Sequence, residues 1–230
     1  METIELEPAR LGPDLAGRVA ADLAEAIGRN GVARLAVPGG EGPEPFLTAL
    51  GETALDWERV VVTLTDERRV PLDHPRSNQR LVQRTLFAGG AAAARFVPLL
   101  PDAQGRWGGI EAIGQALRAE ALPLDVAVLG TGTDGHTASL IPDAEGLDTL
   151  LAPSGDAVVC TLSAASAEEE RVTLTAPVLA AARRLYVFAV SRAACDALDA
   201  ALGVEDERGA PLARVLRDAR HVTVLRARDG

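Results

Sequence analysis

The sequence contains no lysine, so all 23 of its basic residues are arginine. Acidic residues outnumber them at 33, which gives a formal net charge of −10 at pH 7. No stretch of the chain is strongly basic, so neither a nucleic acid nor an anionic membrane is an expected partner. Any cation that a functional site requires has to be sought among arginines, because no lysine can supply it.

Cysteine is scarce as well. Cys160 and Cys195 are the only two, and they lack the spacing of a metal site, so we expect two buried thiols. The opening METIELEPAR lacks the pattern of a signal peptide, and no apolar run is long enough to span a bilayer. We therefore expect a soluble cytoplasmic protein.

The chain of 230 residues, 47% of them hydrophobic, is long enough for one α/β domain with a sizeable core.

Apolar segments alternate with segments of helical pattern. An apolar residue recurs every fourth position from Leu15 to Ile27, which predicts a helix that Asn30-Gly31 would end. Strands are predicted at residues 32–37, 59–65, 122–130, 184–190 and 221–227, with 156–162 as a further candidate. This alternation predicts an α/β fold of the Rossmann-like kind, with a mostly parallel sheet flanked by helices in a single domain.

Glycine and polar residues concentrate in three loops, at residues 38–43, 65–78 and 130–142. Each loop follows a predicted buried strand. In open α/β sheets, ligands bind beyond the carboxyl ends of the strands. We therefore expect these three loops to form the functional site.

The third loop, LGTGTDGHTASLIP, holds Asp134 and His136, and its glycines Gly130, Gly132 and Gly135 allow tight turns and close approach of a ligand. A neutral imidazole held by a carboxylate can act as a general base near neutral pH. The alternative is a histidine that only caps a helix or completes a turn. The glycines do not complete the fingerprint of a dinucleotide site.

The second loop begins with four charged residues, 66–69, directly after a buried strand. An arginine there offers a planar fork for a carboxylate, a phosphate or an oxyanion. The alternative is a solvated loop with internal salt bridges. Further along, Ser77 and Asn78 are placed to cap the next helix.

Taken together, DERRVP with the following SN, LGTGTDGHTASLIP and the later RVTLT resemble the 6-phosphogluconolactonase family, which is related to the glucosamine-6-phosphate deaminases. The resemblance covers about residues 32–202. The TASL that follows His136 has the lactonase form, which disfavours deaminase chemistry. The resemblance implies a single lactonase-like domain over residues 1–230 that hydrolyses 6-phospho-D-glucono-1,5-lactone to 6-phosphogluconate, a step of the pentose phosphate pathway. It implies no metal and no organic cofactor. We also expect a monomer or a weak homodimer.

The resemblance also implies roles for individual residues. His136 matches the histidine that activates water, Asp134 the acid that orients it, and Arg68 an arginine that contacts the substrate. Arg171 matches an arginine at the phosphate end. The predicted catalytic residues are thus His136, Asp134 and Arg68, and the predicted substrate-binding residues are Gly39, Gly40, Asp66, Asn78, Gly130, Gly132, Arg171 and Arg192.

The sequence departs from the family pattern in two places, and both are expected to lie in the part of the site that binds the phosphate. In the first loop, serines and a threonine of the family are replaced by Pro38, Glu41 and Gly42, and a common family lysine aligns with Ala194. Arg192 is the cation that could replace this lysine. Two alternatives follow: a lactonase for a different or unphosphorylated sugar lactone, with Glu41 bonded to a hydroxyl, or a non-catalytic sugar-phosphate-binding homologue.

Overall fold

A computed structural model of the chain describes residues 1–40, 42–100, 109–153, 155–203 and 209–228. The main sheet has seven parallel strands: β1 (Glu2–Leu6), β2 (Ala33–Val37), β3 (Val60–Leu64), β5 (Arg95–Val97), β6 (Val126–Gly130), β9 (Arg184–Ala189) and β10 (Val222–Ala227). A smaller antiparallel sheet consists of β4 (Asp66–Arg68), β7 (Val159–Leu162) and β8 (Arg171–Leu174). The strand orders are β1-β10-β9-β6-β2-β3-β5 and β4-β8-β7.

The α-helices of the described ranges are α1 (Pro8–Asn30), α2 (Glu44–Gly51), α3 (Asn78–Arg84), α4 (Ile110–Ala116), α5 (Leu147–Leu151), α6 (Ala176–Ala180), α7 (Arg192–Gly203) and α8 (Pro211–Asp218). Helix α1 buries Leu15, Val19 and Leu23, the face that the sequence predicts. Gly31 ends it in the left-handed conformation, with its N–H bonded to the Ile27 carbonyl. Among these helices, none combines the length and apolar character needed to traverse a bilayer.

The mostly parallel, helix-flanked architecture is confirmed, but two local expectations are wrong. The candidate strand at 156–162 contributes β7 to the small antiparallel sheet instead of the parallel one. The segment 65–78 begins with strand β4 instead of a loop. Its three residues, Asp-Glu-Arg, carry no strand pattern, and they are extended because they pair with β8, whose residues lie about 100 positions later.

The two cysteines also differ from expectation in one respect. Cys195 is buried in the core as predicted, whereas Cys160 is only partly buried. Cys160 lies on β7, which pairs with β8 alone. Strand β7 is therefore an edge strand, with a neighbouring strand along only one of its two sides. The partial burial raises the pKa of the Cys160 thiol.

The order of the strands in the main sheet indicates where a ligand site is expected. From β2 the chain continues to its neighbour β3 on one side, whereas β6, its neighbour on the other side, leads to β9 and β10. The strand order therefore reverses between β2 and β6. In doubly wound sheets a crevice opens at the carboxyl ends of the strands at such a point, and ligands bind there. The loops after β2 and β6 are the first and third glycine-rich loops of the sequence.

Candidate active site

Two arginines face each other beside this crevice. In the register of the small sheet, Arg68 of β4 lies directly opposite Arg171 of β8. Like charges directly opposite on neighbouring strands repel each other. Burial, and the charge of Arg68, lower the pKa of the Arg171 guanidinium. In the described part of the chain, the Nε atoms of both arginines are buried without a hydrogen-bond partner. Such a pair is suited to an anion that neutralises both charges.

Each arginine has one anchor. Nη1 of Arg68 donates to the carbonyl of Arg76 at 2.7 Å, and Nη1 of Arg171 lies 3.9 Å from Oδ2 of Asp66. Arg76 is ion-paired in turn with Glu168 and Glu169. Within the charged run 66–69, the salt-bridge alternative therefore holds for Arg69, which pairs with Glu170 at the rim, whereas Arg68 and Arg171 each keep an unpartnered donor.

Asn78 and Gly39 bring the first and second loops together. Asn78 is 1% exposed, and its Nδ2 donates to the Asp66 carbonyl at 2.8 Å. A Cβ on residue 39 would lie only 1.8 Å from the Asn78 carboxamide, so the side chain packs directly on the Gly39 backbone. Ser77, and not Asn78, caps α3, by accepting from the Arg80 N–H at 3.1 Å.

Glu67 is a structural residue to which the sequence assigns no specific role. It is 1% exposed, and its carboxylate accepts from the backbone N–H groups of Arg68, Asn78 and Gln79 and from Ser77 Oγ. Burial raises its pKa, although the backbone hydrogen bonds act in the opposite direction. Glu67 thereby fixes β4 to the start of α3. Its position within the run of charges was visible in the sequence, but its inward direction was not.

His136 and Asp134 form a pair on the loop after β6. Nδ1 of His136 lies 2.5 Å from Oδ1 of Asp134, and both side chains are partly exposed. This hydrogen bond lowers the pKa of Asp134 to about 2, so the carboxylate is ionised at neutral pH. Because a carboxylate only accepts, the neutral imidazole carries its proton on Nδ1 and leaves Nε2 as an acceptor. That is the state a general base requires.

Gly132 makes room for the pair. A Cβ at this position would lie 2.2 Å from both Cε1 and Nδ1 of His136 and 2.7 Å from Oδ1 of Asp134. The Gly132 N–H donates to the His136 carbonyl at 2.9 Å, which closes the loop. A Cβ built on Gly130 would lie 3.4 Å from the Phe188 ring, and one built on Gly42 would lie 3.7 Å from it. A glycine of the first loop and one of the third therefore both lie next to the same aromatic side chain.

The remaining predicted residues have different environments. Arg192 is exposed at the start of α7 and ion-paired with Asp196 at 3.1 Å, so its binding role stays a prediction. Ala194 is buried in the core. Gly40 has a positive φ of 91°, which glycine adopts easily. Glu41 lies outside the described residues.

A family model described as glucosamine-6-phosphate isomerases/6-phosphogluconolactonase matches residues 7–225. The chain belongs to this family. Its relatives in the glucosamine-6-phosphate isomerase/6-phosphogluconolactonase family include a 6-phosphogluconolactonase of Mesorhizobium japonicum, 49% identical over 72% of this chain and 70% of the relative. Another is that of Pseudomonas aeruginosa, 44% identical over 88% of this chain and 85% of the relative.

The fold of the chain also matches that of solved structures from this family. A crystal structure of a 6-phosphogluconolactonase from Shewanella baltica superposes with a TM-score of 0.90 and 30% identity, over 99% of this chain and 97% of that one. The family resemblance inferred from three motifs is therefore confirmed, as is the fold. The roles of the individual site residues are proposals, which the arrangement of this site supports.

Proposed function

We propose that the protein is a 6-phosphogluconolactonase, which hydrolyses 6-phospho-D-glucono-1,5-lactone to 6-phosphogluconate in the oxidative branch of the pentose phosphate pathway. One observation carries the proposal: a carboxylate-held imidazole on the loop after β6 is linked through Ser139 and Asp66 to a partly buried pair of opposed arginines on β4 and β8. The imidazole suits the hydrolysis and the arginines suit the phosphate. The names of the relatives at 44–49% identity support the same activity.

His136 acts as the general base. Its Nε2 takes a proton from water as the water oxygen attacks the lactone carbonyl carbon, and Asp134 stabilises the imidazolium that forms. The tetrahedral intermediate collapses with cleavage of the bond between the carbonyl carbon and the ring oxygen. The imidazolium returns its proton to that oxygen, which gives the open-chain acid. Backbone N–H groups of the loop can stabilise the oxyanion.

Arg68 and Arg171 bind the phosphate. A phosphate dianion matches two guanidinium groups in charge and in the geometry of its oxygens. The phosphate is remote from the lactone carbonyl. Its binding fixes the lactone in the orientation that the attacking water requires, and this positioning increases the rate of hydrolysis. A δ-lactone is an activated ester, so one base and good positioning are sufficient for its hydrolysis.

The first test compares phosphorylated gluconolactone with unphosphorylated gluconolactone. We expect kcat/KM to be roughly 10²-fold higher for the phosphorylated substrate, because each hydrogen bond to a charged group contributes about 1.5–3 kcal/mol. Hydrolysis can be followed by proton release and corrected for the spontaneous reaction. Equal values for the two substrates would contradict a phosphate site and favour the lactonase of different specificity. Binding without turnover would favour the non-catalytic homologue.

Gly132→Ala tests the placement of the base. The added methyl group cannot coexist with the present position of the His136 ring, so we expect kcat to fall at least about 10-fold, as small misplacements of catalytic groups do. The melting temperature should change little, because the pair is partly exposed. Gly17→Ala is the matched control, since a Cβ there meets nothing within 4 Å. An unchanged kcat in Gly132→Ala would show that the ring has a second productive position.

A further inference from the structure

The loop that carries His136 contains a backbone conformation that its sequence does not favour. Ala138 has a φ of +50° and is the one non-glycine residue with a positive φ in the described ranges. It lies in a turn closed by the Leu140 N–H bonded to the Thr137 carbonyl at 2.9 Å. An alanine in this conformation is strained and persists only where its surroundings impose it.

The contacts that constrain the conformation of Ala138 are made by the next residue, Ser139. Ser139 is fully buried, and its Oγ donates to Oδ2 of Asp66 at 2.6 Å. The Ser139 N–H points to Oγ1 of Thr173 at 3.4 Å. Hydrogen bonds to a buried carboxylate are short and strong, so Ser139 is held firmly between β4 and β8. The turn at Ala138 must then bridge a fixed residue and the His136 pair.

Asp66 itself is poorly placed to contact a substrate. It is 4% exposed, Thr65 Oγ1 donates to its Oδ1 at 3.1 Å, and Ser139 and Arg171 both face its Oδ2. Each carboxylate oxygen is thus engaged by the protein. The same carboxylate contacts the loop of the base and one arginine of the anion pair.

We propose that Ser139 is a positioning residue for the general base. By its hydrogen bond to Asp66 it holds Ala138 in the left-handed turn, and this turn keeps His136 against Asp134. Asp66 acts through Ser139 and Arg171, not by contact with the substrate, and it joins the two ends of the site. The proposal rests on the proposed role of His136 as the base.

The kinetic test uses Ser139→Ala, Ala138→Gly and the double variant. Without the hydroxyl, Ala138 is free to leave the left-handed conformation, and we expect kcat to fall roughly 10-fold at nearly constant KM. Glycine adopts a positive φ without strain, so Ala138→Gly alone should be close to wild type. In the double variant glycine should restore most of the lost kcat. Ser166→Ala is the control, because it removes a serine–aspartate bond of 2.7 Å from an exposed site.

A second measurement does not depend on any substrate. ¹⁵N shifts of labelled histidine report which ring nitrogen carries the proton. In the neutral wild-type protein His136 should be protonated on Nδ1, because Asp134 accepts there. His74 is an internal reference of the opposite kind, since its Nδ1 faces the Arg76 N–H at 3.2 Å. In Ser139→Ala we expect His136 to shift toward the Nε2–H form, with His74 unchanged, and the double variant to reverse the shift.

The outcomes separate the two levels of the proposal. Loss of kcat with a tautomer shift, both reversed by glycine at 138, supports the positioning role. An unchanged kcat in Ser139→Ala, a loss without a tautomer shift, or a loss that glycine does not rescue would overturn it. A wild-type protein inactive on every lactone would refute the proposed function, whereas the tautomer measurement would still decide whether Ser139 positions His136.

Discussion

His136→Ala is expected to lower kcat for the phosphorylated lactone by about 10²- to 10⁴-fold, the range that one general base contributes. The reason is the geometry of the pair, in which Asp134 holds Nδ1 at 2.5 Å and leaves Nε2 to accept a proton from water. KM should change little, because the arginine pair proposed to bind the phosphate is untouched. Steady-state kinetics corrected for spontaneous hydrolysis measure the effect.

His221 is the natural control for this prediction. It is exposed and immediately precedes β10, at the opposite edge of the sheet. His221→Ala should keep kcat within about threefold of wild type, as surface substitutions away from a site generally do. Full activity in His136→Ala would remove the general-base mechanism.

The pH dependence of the site follows from Asp134. Its pKa of about 2 lies below the ordinary value of 3.8, so its interaction with His136 contributes stability above about pH 4 and loses it as the pH falls toward 2. We therefore expect Asp134 to stay ionised well below neutral pH. The acidic limb of the kcat profile must report the protonation of another group, and a limb centred near pH 2 would contradict this assignment.

Arg171→Ala is expected to raise KM for the phosphorylated lactone by about 10- to 10²-fold, since a hydrogen bond to a charged group contributes about 1.5–3 kcal/mol. The Arg171 side chain is 11% exposed and lies opposite Arg68, so its loss removes one of the two cations that face the anion. The kinetics of unphosphorylated gluconolactone should be nearly unchanged. Measuring KM for both substrates in the same variant separates phosphate binding from general damage.

Arg69→Ala provides the comparison for this variant. Arg69 is the next residue after β4 and pairs with Glu170 at the exposed rim. Exposed ion pairs contribute about 0–1 kcal/mol, so KM for either substrate should change less than about fivefold. Arg171→Lys keeps the charge without the planar fork, and it should recover only part of the affinity. Equal KM changes for the two lactones in Arg171→Ala would place this arginine outside the phosphate site.

The parts of this protein that the sequence predicts are the parts decided by neighbouring residues. The buried strands have continuous apolar runs, and Asn30-Gly31 ends α1 by the ordinary chemistry of a left-handed glycine. The glycine-rich loop with Asp134 and His136 was recognised in the same way. Because parallel strands bring their carboxyl ends to one edge, the predicted strands were enough to gather the three loops.

The features that the sequence does not predict depend on contacts between residues far apart in the chain. Strand β4 exists because β8 pairs with it, and this pairing is also what sets Arg68 opposite Arg171. The contact between Ser139 and Asp66 joins positions 73 residues apart, and neither residue signals it locally. Propensity describes single segments, so it cannot reveal which short polar segment becomes a strand through its partner.

The arginine pair has a chemical consequence beyond charge. A δ-lactone is an acylating agent, and a nearby primary amine would attack its carbonyl to form a stable amide. Guanidinium groups stay protonated and are poor nucleophiles, so Arg68 and Arg171, in the role proposed for them, can bind the phosphate of this ester without being acylated by it. Because the sequence contains no lysine, no side chain of the protein carries a primary amine that could form such an amide. Composition thus removes one route by which the substrate could acylate the protein.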